Sequence, residues 1–195
     1  MPDGRRSADR GAPPPDERAL HEAALQHLAR YGVTRVTLRR ALDRRVDRWA
    51  RTSAGTEGAA AAIAAAKQAV RVVVARLVEA GLVNDAAFAE IRARRLARSG
   101  QSRRATAAHL AARGIAGDAL RAALPDDPEA EFAAAIAFDR RRRIGPFRRA
   151  AADPEARRNE LGMLARAGFA GDVARRALAV DVNEAEAILA RLRQA

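Results

Sequence analysis

The sequence predicts an all-α protein built from tandem repeats of three-helix, helix–turn–helix-like bundles, strung into an elongated molecule. Three observations predict it. Apolar residues recur at spacings of three and four, the period of a helix, and no segment alternates as a strand would. Glycine or proline follows most of the periodic segments, where a helix must stop. And one fifteen-residue segment occurs twice.

Taken in order, residues 1–15 read as a disordered arm ending in three prolines. Asp16 can cap a helix to about Arg30, with Leu20, Ala24 and Leu28 on one face and Leu25 beside Leu28. A second helix is expected over 37–48, where Leu38, Leu42, Val46 and Trp49 form a stripe; this makes Trp49 a core residue. Residues 51–58 (RTSAGTEG) read as an inserted loop. A helix over 59–80 follows; Val70, Val73, Val74 and Leu77 give it an apolar stripe and Gly81 ends it. Asn84 caps a helix to about Arg98, and Ser102 caps the next, to about Arg113. A short helix ends near Leu124. Pro128, at a first helical position after Asp127, opens a helix whose last turn holds Arg140 to Arg143 and which Gly145-Pro146 ends. Helices from Asp153-Pro154 to Gly168, over 171–179, and from Asn183 complete the chain.

The duplicated segment is 110–124 (LAARGIAGDALRAAL) and 164–178 (LARAGFAGDVARRAL), identical at nine of fifteen positions at an offset of 54. Alanine and arginine inflate any such count here; the shared Gly, Gly, Asp and Leu positions are harder to dismiss. In each copy a helix stops at Gly114 or Gly168, which can adopt the left-handed conformation of a C-cap. Ile115 or Phe169 then turns an apolar side chain back onto the helix just left. The chain restarts as a short helix with Asp118 or Asp172 in its first turn, where negative charge is favoured. Each copy plus the helix before it makes a three-helix unit, and residues 20–83 read as a more divergent third copy. The expected organisation is a first repeat over 16–83, a second over 84–124, a third over 127–180, and a tail helix over 181–195.

Composition narrows the function. The chain has 195 residues, 49% of them hydrophobic, but that fraction is largely alanine and only 4% are aromatic. Alanine buries little area, which favours small bundles over one thick core. The net charge of +12 points to a polyanionic partner, or to one that carries a polyanion. Lys67 is the only lysine, so abundant arginine by itself says nothing about phosphate recognition; its placement must. The absence of cysteine removes disulfides, thiolate nucleophiles and cysteine-ligated zinc. No nucleophile–base pattern or phosphate-cradling glycine loop occurs, and His21, His27 and His109 lack metal-ligand spacing. Asp126, Asp127, Glu129 and Glu131 read as a helix cap and first turn rather than a catalytic pair. The expectation is a soluble, cytoplasmic monomer that is not an enzyme, needs no cofactor and meets no membrane.

Four features resemble the RecX family of RecA regulators, over about 20–180. They are the segment 81–89 (GLVNDAAFA), the basic turn 94–104 around Gly100, the duplicated Gly–apolar turn at Gly114 and Gly168, and 140–147 (RRRRIGPF). The last is similar to the basic third-repeat segment of alphaproteobacterial members. The chain departs from the family at Ala116 and Ala170, where a capping Ser or Asp is common, and in the irregular first repeat. The resemblance implies tandem three-helix repeats that bind the groove of the RecA–DNA filament, contact neighbouring protomers, and inhibit ATP hydrolysis, strand exchange and coprotease activity. It also implies a place in recombination, DNA repair and the SOS response, with no covalent chemistry.

Two arginine clusters are the candidate filament- or DNA-binding residues: Arg94, Arg98, Arg103 and Arg104, and Arg140, Arg141, Arg142, Arg143, Arg148 and Arg149. The bland alternative is a solvated helix end, since the helix dipole favours cations in a last turn. Four consecutive arginines also go round a helix and cannot all face one partner. Arg92 and Arg95 lie in the arc of Phe88, Ile91 and Leu96, which would leave them partly covered. A direct nucleic-acid-binding module is the competing reading. Its difficulty is that Gly117-Asp118-Ala119 and Gly171-Asp172-Val173 put an acid where base-reading side chains would sit; weak, salt-sensitive DNA binding is expected from charge alone.

Overall fold

The computed structural model describes residues 13–53, 58–149, 151 and 153–194. Among these the chain is all-α, with ten α-helices, one 3-10 turn and no strand. It divides into two compact units, Met1–Asp85 and Ala86–Ala195. Of the predicted arm, residues 1–12 lie outside the described residues, as do 54–57 of the predicted loop.

The first unit packs α1 (Glu17–Leu28), α2 (Arg35–Thr52) and α3 (Ala59–Glu79) around one core. Leu20 and Ala24, then Leu38, Leu42 and Val46, then Val70, Val73, Val74 and Leu77 are buried together, so the three apolar stripes meet. Trp49 is half-buried at the end of its stripe, and Leu25, expected beside Leu28, is 41% exposed. Helix α2 starts earlier than the predicted 37, because Thr34 and Thr37 form a reciprocal capping box. Thr34 Oγ1 accepts from the Thr37 N–H at 3.2 Å, and Thr37 Oγ1 from the Thr34 N–H at 2.9 Å. The helix also runs through Arg51 and Thr52, residues expected in the loop. Nothing in that stretch breaks a helix, and the Thr52 hydroxyl donates back to the Trp49 carbonyl at 2.8 Å.

The second unit holds α4 from residue 86 onward (Asp85–Arg98), α5 (Arg103–Ala111), α6 (Gly117–Ala123), α7 (Pro128–Arg142), α8 (Pro154–Ala167), α9 (Gly171–Ala179) and α10 (Val182–Gln194). Helix α7 is its centre. Every residue from Ala134 to Asp139 is buried; α9 and α10 pack against it, and α8 packs on α9. A smaller core lies under α4 to α6, with Ala89, Ala93, Leu110 and Ile115 inside. Ile91 is 61% exposed, contrary to the arc expected from the sequence: the small residues Ala89 and Ala93, not the large ones, make α4's buried face. Arg92 is accordingly half-buried and Arg95 exposed.

The helix stops share one mechanism. At Gly81, Gly100, Gly114 and Gly168 the residue is left-handed (φ +71, +75, +82 and +99). The following backbone N–H reaches back to the helix, as at Ile115 to the Leu110 carbonyl and Phe169 to the Leu164 carbonyl, both 3.1 Å. Ile115 and Phe169 are 1% and 4% exposed, so the duplicated turn buries its apolar residue in both copies. Neither α6 nor α9 has a side-chain cap, since Ala116 and Ala170 stand at those positions.

Two glycine stops also permit close packing inside the second unit. A Cβ on Gly100 would lie 2.5 Å from the Phe138 backbone nitrogen, so the α4–α5 turn sits directly on the α7 backbone. A Cβ on Gly168 would lie 2.6 Å from Ser102 Oγ. That hydroxyl caps α5 through the Ala105 N–H at 3.2 Å and donates to the Ala167 carbonyl at 2.7 Å, joining the start of α5 to the end of α8.

Candidate functional site

Helix α7 ends differently from the sequence expectation. Arg143 is not in its last turn; it is the left-handed residue of the stop, φ +57, the one non-glycine with positive φ among the described residues. Its N–H meets the Arg140 carbonyl at 3.3 Å, and the Ile144 N–H meets the Asp139 carbonyl at 3.1 Å, the same double bond the glycine stops make. Ile144 is buried, which pulls the chain round at that point and leaves Gly145-Pro146 to form a 3-10 turn beyond. A left-handed conformation costs an arginine about 1–2 kcal/mol.

This departure redirects the arginine run. Arg140, Arg141 and Arg143 line one concavity of about 440 Å³, together with Arg98 from the end of α4 and Arg193 from the end of α10. Ala137, Leu189 and Leu192 make its apolar lining. Arg142 points elsewhere, to a hollow shared with Phe138, Met163, Arg166 and Ala167. The four arginines do diverge as their spacing requires, but three of them converge because the helix stops beneath the fourth.

The five arginines that line the hollow carry like charge, and two features favour their gathering there. Arg98, Arg140, Arg141 and Arg193 all occupy the last turns of their helices, and Arg143 follows the end of α7 directly, so three negative dipole ends meet there. Arg140 also pairs with Glu186 at 3.3 Å. Among the described residues no carboxylate pairs with Arg98, Arg141, Arg143 or Arg193. Arg141 instead lies 5.8 Å from the Phe138 ring centroid, within cation–π range.

The remaining candidates are dispersed. Arg94 and Arg103 border a smaller hollow of about 200 Å³ that also contains Asp127 and Glu131, so its charge is balanced internally. The Arg103 N–H donates to Glu131 at 2.8 Å and its Nε to the Leu124 carbonyl at 3.2 Å. Burial pushes the Glu131 carboxyl up, partly opposed by that bond. Arg104 lies against Gly168. Arg149 is exposed. Arg148 is turned inward, in a half-buried ion pair with Glu160, its Nε 3.2 Å from Oε1.

Two features had no place in the sequence reading. Arg193 sits on the tail helix; the signal was the spacing of Leu189, Leu192 and Arg193, which puts an arginine at the edge of an apolar stripe. Asp139, within the Ala-rich α7, is fully buried, and neither carboxyl oxygen has a hydrogen-bond partner. Burial above all, and then the nearby Glu160 carboxylate, push its pKa up to about 8, with Arg148 opposing. Between α4 and α5, Arg92 Nε donates to His109 Nε2 at 2.9 Å. Burial, Arg113 and Arg92 all lower the His109 pKa, keeping the ring a neutral acceptor. Among the described residues no cluster of His, Asp and Glu could hold a metal, and no helix is long and apolar enough to cross a membrane.

Fold and site together define a helical protein of tandem three-helix units with an arginine-lined hollow. Residues 84–124 match the family model described as RecX, second three-helix domain. Regulatory protein RecX of Myxococcus xanthus is 37% identical over 169 residues, which are 85% of this chain and 86% of that protein. Regulatory protein RecX of Agrobacterium fabrum is 36% identical over 107 residues, 55% of this chain and 57% of that protein. No solved structure matches the chain. The chain belongs to the RecX family.

Proposed function

We propose that this chain is a non-catalytic negative regulator of the RecA recombinase. It binds the RecA–DNA filament and inhibits ATP hydrolysis, strand exchange and coprotease activity by occupying the filament groove. Membership of a family whose matched members are named regulatory proteins supports the reading. The observation that carries it is the convergence of Arg98, Arg140, Arg141, Arg143 and Arg193 on one hollow where, among the described residues, only Arg140 is paired with a carboxylate. So concentrated a charge has a purpose only against an anionic partner. Arg94, Arg103, Arg104, Arg142 and Arg149 offer further, separate contacts to the filament, whereas Arg148 acts through the fold. The working units are repeats over 16–83, 84–124 and 127–180 with a tail helix over 181–195. The protein acts as a cytoplasmic monomer without a cofactor.

The test is charge reversal. The double variant Arg141→Glu, Arg143→Glu should need roughly tenfold more protein for half-inhibition of RecA, about 1.4 kcal/mol, with an unchanged circular dichroism spectrum. Undiminished inhibition removes the concavity from the interface.

A further inference from the structure

We propose that the arginine concavity recognises an acidic peptide segment carrying one aliphatic side chain, rather than nucleic-acid phosphate. The inference rests on the reading that this hollow faces the partner, and it names the chemistry of what enters. The lining has two parts. One part is basic: Arg98, Arg140, Arg141, Arg143 and Arg193, all exposed. The other is aliphatic: Ala137, Leu189 and Leu192, with no aromatic side chain in the lining.

Single-stranded nucleic acid is held by a basic groove with aromatic platforms on which bases stack, and this hollow offers none. Guanidinium forks match carboxylates as they match phosphates, and arginine clusters are a recurring means of binding acidic motifs; what separates the two ligands here is the apolar part of the lining. An aliphatic side chain between those carboxylates would meet Leu192, the half-buried member of the apolar lining. The chain holds one instance of the contact already: Glu186 on α10 reaches Arg140 at 3.3 Å, one turn before Leu189. A second acidic segment would find Arg98, Arg141, Arg143 and Arg193 without carboxylate partners among the described residues.

The experiment measures binding of labelled probes to the full-length protein by fluorescence anisotropy. The probes are a nonapeptide of glutamates with a central leucine, the same peptide with serine at the centre, and an oligothymidylate of equal charge. The expected order is leucine peptide tightest, about fivefold over the serine peptide, as covering a small apolar surface allows. Arg193→Glu, an exposed position, should weaken the leucine peptide at least fivefold. Equal binding of the two peptides would overturn the proposal, because the apolar lining would then be unused. So would an oligothymidylate that binds more tightly and is equally sensitive to Arg193→Glu, which would make the hollow a phosphate site. If no peptide binds while RecA inhibition persists and is lost in the Arg141→Glu, Arg143→Glu variant, the peptide inference falls and the regulatory reading stands. If RecA inhibition is itself absent, both fall.

Discussion

Replacing Asp139 with Asn should make the second unit more stable, and increasingly so as pH rises. The carboxyl is fully buried, its two oxygens have no partner, and its pKa is raised from 3.8 to about 8. Between those values the folded chain keeps a proton that the unfolded chain has released, so stability falls as pH rises. The contribution is fully present below the unfolded pKa and is lost by the time pH passes the folded one. For a shift of this size linkage gives a loss of about 3 kcal/mol between pH 5 and 7, and about 1 kcal/mol more by pH 9. Asparagine has nearly the same shape and does not titrate. The stability difference between Asp139→Asn and the parent should therefore widen by about 4 kcal/mol from pH 5 to 9. Other titrating groups, including Glu131 and His109, are common to both chains and cancel. Urea unfolding followed by circular dichroism measures the difference. A difference that stays flat from pH 5 to 9 would show that Asp139 ionises freely and that the account of its burial is wrong.

Three further outcomes follow from backbone geometry and charge. Gly100→Ala should cost about 2–5 kcal/mol in urea unfolding, combining left-handed strain with a clash against the α7 backbone. Gly81→Ala, with the same sign of φ but open space around it, should cost only the strain, about 1 kcal/mol. Arg143→Gly should gain about 0.5–1 kcal/mol in the same assay, by relieving the left-handed arginine, while weakening RecA inhibition several-fold; a variant that is both more stable and fully active would deny Arg143 any role.

Much of this fold was legible because its signals are local. Glycine stops at 81, 100, 114 and 168, caps at Asp16, Ser102, Asp127 and Asp153, and the stripes of the first unit each depend on a few neighbouring residues. What was missed depends on packing. The Thr34–Thr37 box starts α2 early, because a capping box can use threonine where glutamate is the usual sign. Ile91 faces outward because alanines permit a closer approach than large side chains. The arginine run was visible, but not its convergence. That depends on a non-glycine residue adopting the glycine conformation at Arg143, and on α10 delivering Arg193 from fifty residues further on. Nor could the sequence separate Arg148 from Arg149, since the inward turn of Arg148 follows from a carboxylate on α8.

The most direct test of the central claim is DNA-dependent ATP hydrolysis by RecA from the same organism on single-stranded DNA, titrated with this protein. DNA is kept in excess so that coating of free DNA cannot mimic inhibition. A filament regulator should inhibit at amounts well below the recombinase, because one bound molecule affects several protomers. Hydrolysis that continues unchanged while the protein measurably binds DNA would contradict the account and make the chain a nucleic-acid-binding module instead.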